Sequence, residues 1–192
     1  MHKRDLTFYT EKVQSEDFLK IGRQIIYFKS SERMTEVKDS SIDVIVTSPP
    51  YNRGKLYSGD TGTHYNDRMP KEKYNQLILR VWNECYRVLK PTGLFFLNIG
   101  DSAQDQGKSE SVVRLAIKAG FKRIQTIAWI KSILGRGHYT PSGGSRRLNN
   151  IWENLFILCK SNSYQLNPQA LGIPYADKSN IGRYSDEDLR DA

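Results

Sequence analysis

Apolar residues fall into short separated blocks along this chain, and their spacing changes from block to block. "QIIYF" (24–28) and "SIDVIVTS" (41–48) are nearly continuous and rich in β-branched residues, which predicts strands. The stretch 41–48 has little polar alternation and predicts a strand covered on both faces. Residues 70–93 read differently. Tyr74, Leu77, Ile78, Val81, Trp82, Cys85, Val88 and Leu89 recur at helical spacing after Pro70, and Pro91–Gly93 supply a stop. "LFFLNIG" (94–100) predicts the next strand. "SESVVRLAIKAG" (109–120) predicts a helix with Ser109 as its cap and Gly120 as its stop. "RIQTIAWIK" (123–131) and "IWENLFILCK" (151–160) predict two further strands. The polar residues 1–22 suggest an arm or a short helix. Residues 52–69, rich in Gly, Asn and Asp, form a long loop of the kind that is usually functional or mobile. No internal repeat is present.

The order strand, strand, helix, strand, helix, strand, loop, strand implies an α/β layered fold. A mostly parallel sheet is expected, with the last two strands as an antiparallel pair at one edge. The 192 residues suffice for one domain with a core. No apolar run approaches the ~20 residues of a membrane span, and the N-terminus lacks the apolar core of a secretory signal. Cys85 and Cys159 sit far apart in apolar patterns. They read as buried free thiols in a reducing compartment, so a cytoplasmic location is expected. His2, His64 and His138 form no ligand spacing with them, which argues against a metal site. The net charge of +8 suits a polyanionic partner, although solubility alone would also account for it.

The chemistry centres on Ser48-Pro49-Pro50-Tyr51. Two consecutive prolines end a strand and stiffen the turn beyond it. They would hold the Ser48 hydroxyl and the Tyr51 ring in fixed relation at the C-terminal edge of the strand, where open α/β sheets bind ligands. No Ser-His-Asp arrangement is suggested, so Ser48 reads as a hydrogen-bond partner and not as a nucleophile. A basic, Gly-rich loop comes later in the chain. Lys131, Arg136, His138, Tyr139, Arg146 and Arg147 interleave charge with an aromatic ring and suit phosphate contact, or else a solvated hairpin. Asp101 either lines the same edge or caps the next turn. Trp82, Trp129 and Trp152 are expected in the core.

"DVIVTSPPYN" resembles the catalytic motif of the DNA amino-methyltransferases, Asp/Asn/Ser-Pro-Pro-aromatic at the end of a strand. The resemblance continues through "YRVLKPTG", "LFFLNIGD" and "RRLNNIWENLFILCKS" and spans roughly residues 25–165. The Ser form is most similar to the enzymes that make N4-methylcytosine in restriction–modification systems. The resemblance implies a partial Rossmann-like methyltransferase sheet, S-adenosylmethionine as cofactor and DNA as partner. It also implies a role for each motif residue. The Ser48 hydroxyl and the Pro49 carbonyl would accept from the target amine, Pro50 would hold the turn, and Tyr51 would stack on the extruded base.

Two departures accompany it. The family's Phe-x-Gly-x-Gly strand is not found. In the permuted order this chain resembles, that strand comes after the catalytic segment and the target-recognition region. The expectation is therefore an N-terminal half: an arm at 1–22, the catalytic half at 23–165 and a tail at 166–192. Such a half would be inactive alone and would require a complementary chain or self-association. Second, Phe28-Lys29-Ser30 stands where the family carries Gly-Asp-Ser/Cys, leaving Ser30 as the candidate cofactor contact. The alternatives are an adenine-N6 enzyme half, a truncated fragment, and a non-catalytic DNA-binding or assembly module.

Overall fold

Seven strands and two helices are formed within residues 12–55, 67–102, 105–131 and 152–171, the parts of the chain described by the computed structural model. The first three strands make a small antiparallel meander: β1 (Lys12–Gln14), β2 (Phe18–Ile21) and β3 (Gln24–Tyr27). This replaces the expected arm or short helix over its described part. The short β-branched and aromatic runs gain partners from one another, and Gly22, at φ +57°, permits the tight turn between β2 and β3.

The main sheet contains β4 (Ile42–Thr47), β5 (Leu89–Ile99), β6 (Lys122–Ile130) and β7 (Trp152–Cys159), in the spatial order β4-β5-β7-β6. Helix α1 (Lys71–Val88) links β4 to β5, and α2 (Lys108–Lys118) links β5 to β6. These crossovers let β4, β5 and β6 point the same way. Strand β7 runs against them and occupies the slot between β5 and β6, so β4–β5 is the parallel pairing while β5–β7 and β7–β6 are antiparallel. The sheet is thus mixed, where a mostly parallel one was expected. Chain order shows that the last two strands pair, but not that one of them inserts beside β5.

Helix α1 ends three residues before Pro91, whose ring is incompatible with a continuing helix. Its final carbonyls accept from the Ser40 and Ser41 backbone N–H groups, which ties the entry of β4 to the end of α1. Strand β5 starts directly at Leu89, earlier than expected, and its pairing with β4 jumps from Ile42–Leu89 to Val44–Leu94. Gly93 makes the jump possible, because a Cβ there would lie 2.7 Å from the Asp43 carbonyl oxygen.

The core lies on one face of the sheet. Tyr74, Ile78, Trp82 and Cys85 of α1 and Val112, Val113 and Ala116 of α2 pack over Phe95, Leu97, Ile99, Phe156 and Leu158. Trp82 sits edge-on to Phe95 at 5.2 Å between centroids. Both cysteines are free and buried, and burial pushes the Cys85 thiol up to about 12.

The opposite face carries only a small buried cluster of Leu94, Ile157 and Cys159. Val44, Val46, Ile127 and Trp129 on that face are open to solvent. Two expectations change accordingly. Strand 41–48 is not covered on both faces, since Val46 is 73% exposed. Trp129 and Trp152 are not core residues, being 53% and 46% exposed. The apolar faces of the helices are buried against the sheet. Trp82 is buried as expected. Among the described residues no helix is long and apolar enough to cross a membrane, and no group of three or more His, Cys, Asp or Glu could hold a metal.

Candidate active site

The parallel strands β4 and β5 deliver two turns to the same edge of the sheet, Ser48–Tyr51 after β4 and Gly100–Asp101 after β5. The four motif residues, with Arg53, Lys55 and Asp67, line a cleft of about 610 Å³. Pro49 is buried and Ser48 is exposed, so the prolines root the turn while the hydroxyl stays accessible. The Tyr74 hydroxyl of α1 donates to the Pro50 carbonyl at 2.7 Å. Among the described residues nothing donates to the Pro49 carbonyl.

The Tyr51 ring is fixed at its edge and on its face. Its hydroxyl donates to Glu153 Oε2 of β7 at 2.9 Å and accepts from the Gly100 backbone N–H at 3.3 Å. The Ser48 hydroxyl donates to the same phenol oxygen over a longer 3.4 Å. The Arg53 guanidinium lies 4.8 Å from the ring centroid, with Nη2 donating to the Gly100 carbonyl at 2.8 Å. A Cβ on Gly100 would stand 2.7 Å from Glu153 Cγ, so glycine there lets β7 bring its carboxylate up to the phenol. Glu153 Oε1 pairs with the Lys131 ammonium. Burial pushes the Tyr51 phenol above its ordinary value. The Ser48 hydrogen bond opposes this, and the hydrogen bond to Glu153 and its charge add to it. Burial also pushes Glu153 upward, but the Lys131 ammonium and the Tyr51 hydroxyl more than offset this and hold the carboxyl below its ordinary value.

The two ends of the loop 52–69 are tied together. Asp67, 4% exposed, accepts from the backbone N–H groups of Asn52, Arg53 and Lys55 at 2.9 to 3.0 Å. The Asn52 side-chain amide exchanges two hydrogen bonds with the Met69 backbone, at 2.7 and 2.8 Å. Asn52 itself sits at φ +54°, a conformation asparagine tolerates better than most residues.

The other expected residues divide between the site and its surroundings. Lys131 is described and is held by Glu153; Arg136, His138, Tyr139, Arg146 and Arg147 lie outside the described residues. Ser30 does not line the cleft; its hydroxyl donates to Glu32 at 3.1 Å. Lys29 pairs with Glu36 at 2.6 Å. The Asp101 carboxylate accepts from the Ser109 N–H at 2.7 Å, so it caps α2, and Ser109 is a buried first-turn residue whose N–H is capped. Sequence reasoning missed Arg53, Asp67, Gly100 and Glu153. Glu153 alone carried a signal, as a lone acid in the apolar strand "IWENLFILCK".

A mixed α/β sheet with two crossover helices on one face, and a Ser-Pro-Pro-Tyr turn at the strand edge, defines a methyltransferase-like domain. The structure aligns with that of the PvuII DNA methyltransferase (cytosine-N4-specific) at TM-score 0.50 and 18% identity, covering 72% of this chain and 49% of that one. This likeness concerns the fold. The DNA methylase family (N6_N4_Mtase) matches residues 42–191, and the chain belongs to that family. Type II methyltransferase M.MwoI of Methanothermobacter wolfeii is 36% identical over 147 residues, which is 72% of this chain and 21% of the relative. M.SfiI of Streptomyces fimbriatus is 28% identical over 171 residues, 80% of this chain and 40% of the relative. The chain therefore spans well under half the length of these relatives.

Proposed function

We propose that this chain carries the base-holding part of a DNA methyltransferase that modifies the exocyclic amine of cytosine at N4. One observation carries the reading: Pro49, to whose carbonyl nothing among the described residues donates, and the exposed Ser48 line one cleft with the braced Tyr51 ring. An aromatic amine is a poor nucleophile because its lone pair is delocalised into the ring. Two acceptors placed on its hydrogens draw the nitrogen toward tetrahedral geometry and turn the lone pair outward. Positioning and fixed dipoles of this kind carry the reaction. The Tyr51 ring offers a stacking surface for a base taken out of the duplex. Ser48 supplies a neutral oxygen, and the Ser form of the motif is the one most similar to the cytosine-N4 enzymes; the adenine-N6 alternative is separated from it by analysis of the methylated nucleoside.

S-adenosylmethionine, when bound, supplies the electrophilic methyl group. The described residues fit only part of a site for it. A hollow of about 470 Å³ is lined by Ser48 together with Val46, Trp129 and Leu155, and among the described residues no carboxylate lines it to receive a ribose or an ammonium group. Ser30, engaged with Glu32, does not line this hollow either. A complementary polypeptide, or a second copy, would complete the domain. Two features support this: β4 is the end strand of its sheet, and Val44, Val46, Ile127 and Trp129 leave an apolar face uncovered.

The test is single-turnover transfer of labelled methyl to unmodified duplex DNA by the chain, alone and mixed with a polypeptide carrying the family's Phe-x-Gly-x-Gly strand. Transfer to cytosine N4 in the mixture is expected, and Ser48→Ala should slow it about 100-fold or more, as loss of a comparable transition-state hydrogen bond does. DNA affinity should hardly change, since phosphate contacts dominate it. Parent-rate transfer by Ser48→Ala would remove the role assigned to that hydroxyl; if Tyr51→Ala were equally without effect, the prolines would be structural and the non-catalytic module the better reading.

A further inference from the structure

The hydrogen bonds around Tyr51 have a direction, and that direction bears on Ser48. Glu153 is held ionised by Lys131, so its Oε2 can only accept, and the Tyr51 proton is committed to it. The phenol oxygen is then left with acceptor capacity alone. It receives the Gly100 N–H and the Ser48 hydroxyl proton. A serine hydroxyl has one proton and two lone pairs, and its rotor is free unless a partner selects one orientation. At 3.4 Å the Ser48 bond is weak, but it selects the orientation in which the proton points at Tyr51 and the lone pairs face the cleft.

We propose that Glu153, backed by Lys131, is a positioning residue that acts through Tyr51 to present Ser48 to the cleft as an acceptor. The inference rests on the base-holding reading of Ser48 above. It gives Tyr51 a second task beside stacking, one that a phenylalanine could not perform. It also explains why a neutral hydroxyl can serve where acceptor-only character is wanted: the carboxylate that removes ambiguity sits two hydrogen bonds away, on β7. Motif position and carboxylate are separated by about a hundred residues in sequence and meet only because β7 inserts beside β5. Among the described residues, the other charged group against the Tyr51 ring is Arg53, which lies over its face and not at the oxygen.

The experiment uses the full chain with no cofactor or DNA. Tyrosines are labelled at Cζ with carbon-13, and the Tyr51 signal among the 11 tyrosines is identified by its loss in Tyr51→Phe. The parent Tyr51 signal is expected to titrate above the ordinary tyrosine range. In Glu153→Gln, which keeps the side-chain shape, the titration moves down, because the carboxylate charge no longer opposes the phenolate. In Ser48→Ala it moves up, because a donor to the phenolate oxygen is gone. Ser48 is exposed, so its removal does not threaten the fold, and unchanged signals from the other tyrosines verify this for both variants. A Tyr51 titration unmoved by either substitution overturns the proposal. In the methyl-transfer mixture, Tyr51→Phe keeps the stacking ring and is expected to slow turnover about tenfold with unchanged DNA affinity, the loss of roughly one neutral hydrogen bond. Full transfer by Tyr51→Phe also overturns it. The two readings fail separately. Titrations that shift as stated without methyl transfer in any mixture sink the enzymatic reading and leave the proton order standing. Normal transfer with unmoved titrations does the reverse.

Discussion

Strands β4 and β5 lie side by side, run in parallel, and both end at the candidate site, yet they are held in place by different physics. Phe95, Leu97 and Ile99 of β5 are fully buried between the helices and the sheet, whereas Val44 and Val46 of β4 are 53% and 73% exposed. Strand β5 is central, with hydrogen-bonded neighbours on both sides; β4 is an edge. Its inward residues Ile42 and Ile45 are only partly buried against the core, and polar ties to α1 add to their hold. Glu84 accepts from the Met34 N–H at 2.7 Å, and Arg87 donates to the Met34 and Val37 carbonyls at 2.8 and 2.9 Å, anchoring the segment that leads into β4. The strand that carries the Ser-Pro-Pro-Tyr turn is thus the less firmly packed of the two. Similar apolar runs can have opposite solvent exposure, and spatial order in the sheet decides which is which.

The largest effect should come from the buried partner. Phe95 meets Trp82 and Phe121 at centroid distances of 5.2 and 5.1 Å. Phe95→Ala should destabilise the chain by about 3–5 kcal/mol in urea unfolding. A loss under about 1 kcal/mol would mean that β5 is not the packed centre.

An intermediate effect should accompany acidification, and it should act on the β4 side. Hydrogen bonding to Arg87 pulls the Glu84 carboxyl down to about 2, against an ordinary value of 4.5. A carboxyl depressed on folding contributes stability that is present above its unfolded value and is lost as pH falls through its folded one. Between pH 4.5 and about 2, therefore, the tie of residues 34–37 to α1 should weaken. Hydrogen exchange should report faster exchange at the Met34 and Val37 amides while Phe95 and Leu97 stay protected. Glu84→Gln should flatten the stability profile across that window. Equal loss of protection in both strands would erase the distinction.

The smallest effect is expected at the open face. Val46→Thr keeps the β-branched shape and removes one methyl from a largely exposed side chain, so stability of the chain alone should change by less than about 0.5 kcal/mol. A larger cost would show that Val46 is covered in solution, by a second copy or by some other part of the protein.

The sequence by itself marked much of the local structure and the family to which the chain belongs. Helical spacing from Tyr74 to Val88 marked α1, Pro91 marked its end, and the paired prolines marked where β4 stops and the hydroxyl and ring begin. These are legible because backbone restriction and periodicity act over a few residues. Only the tertiary structure decided that β7 inserts beside β5, that β4 is an edge with Val46 open, and that Trp129 is exposed. Only the fold brought Glu153, Gly100 and Arg53 to the Tyr51 ring and turned Asp101 to capping α2. Those outcomes depend on which strands become neighbours. Neighbours in a sheet are chosen by long-range packing and hydrogen bonding, which leave no period in the sequence to read.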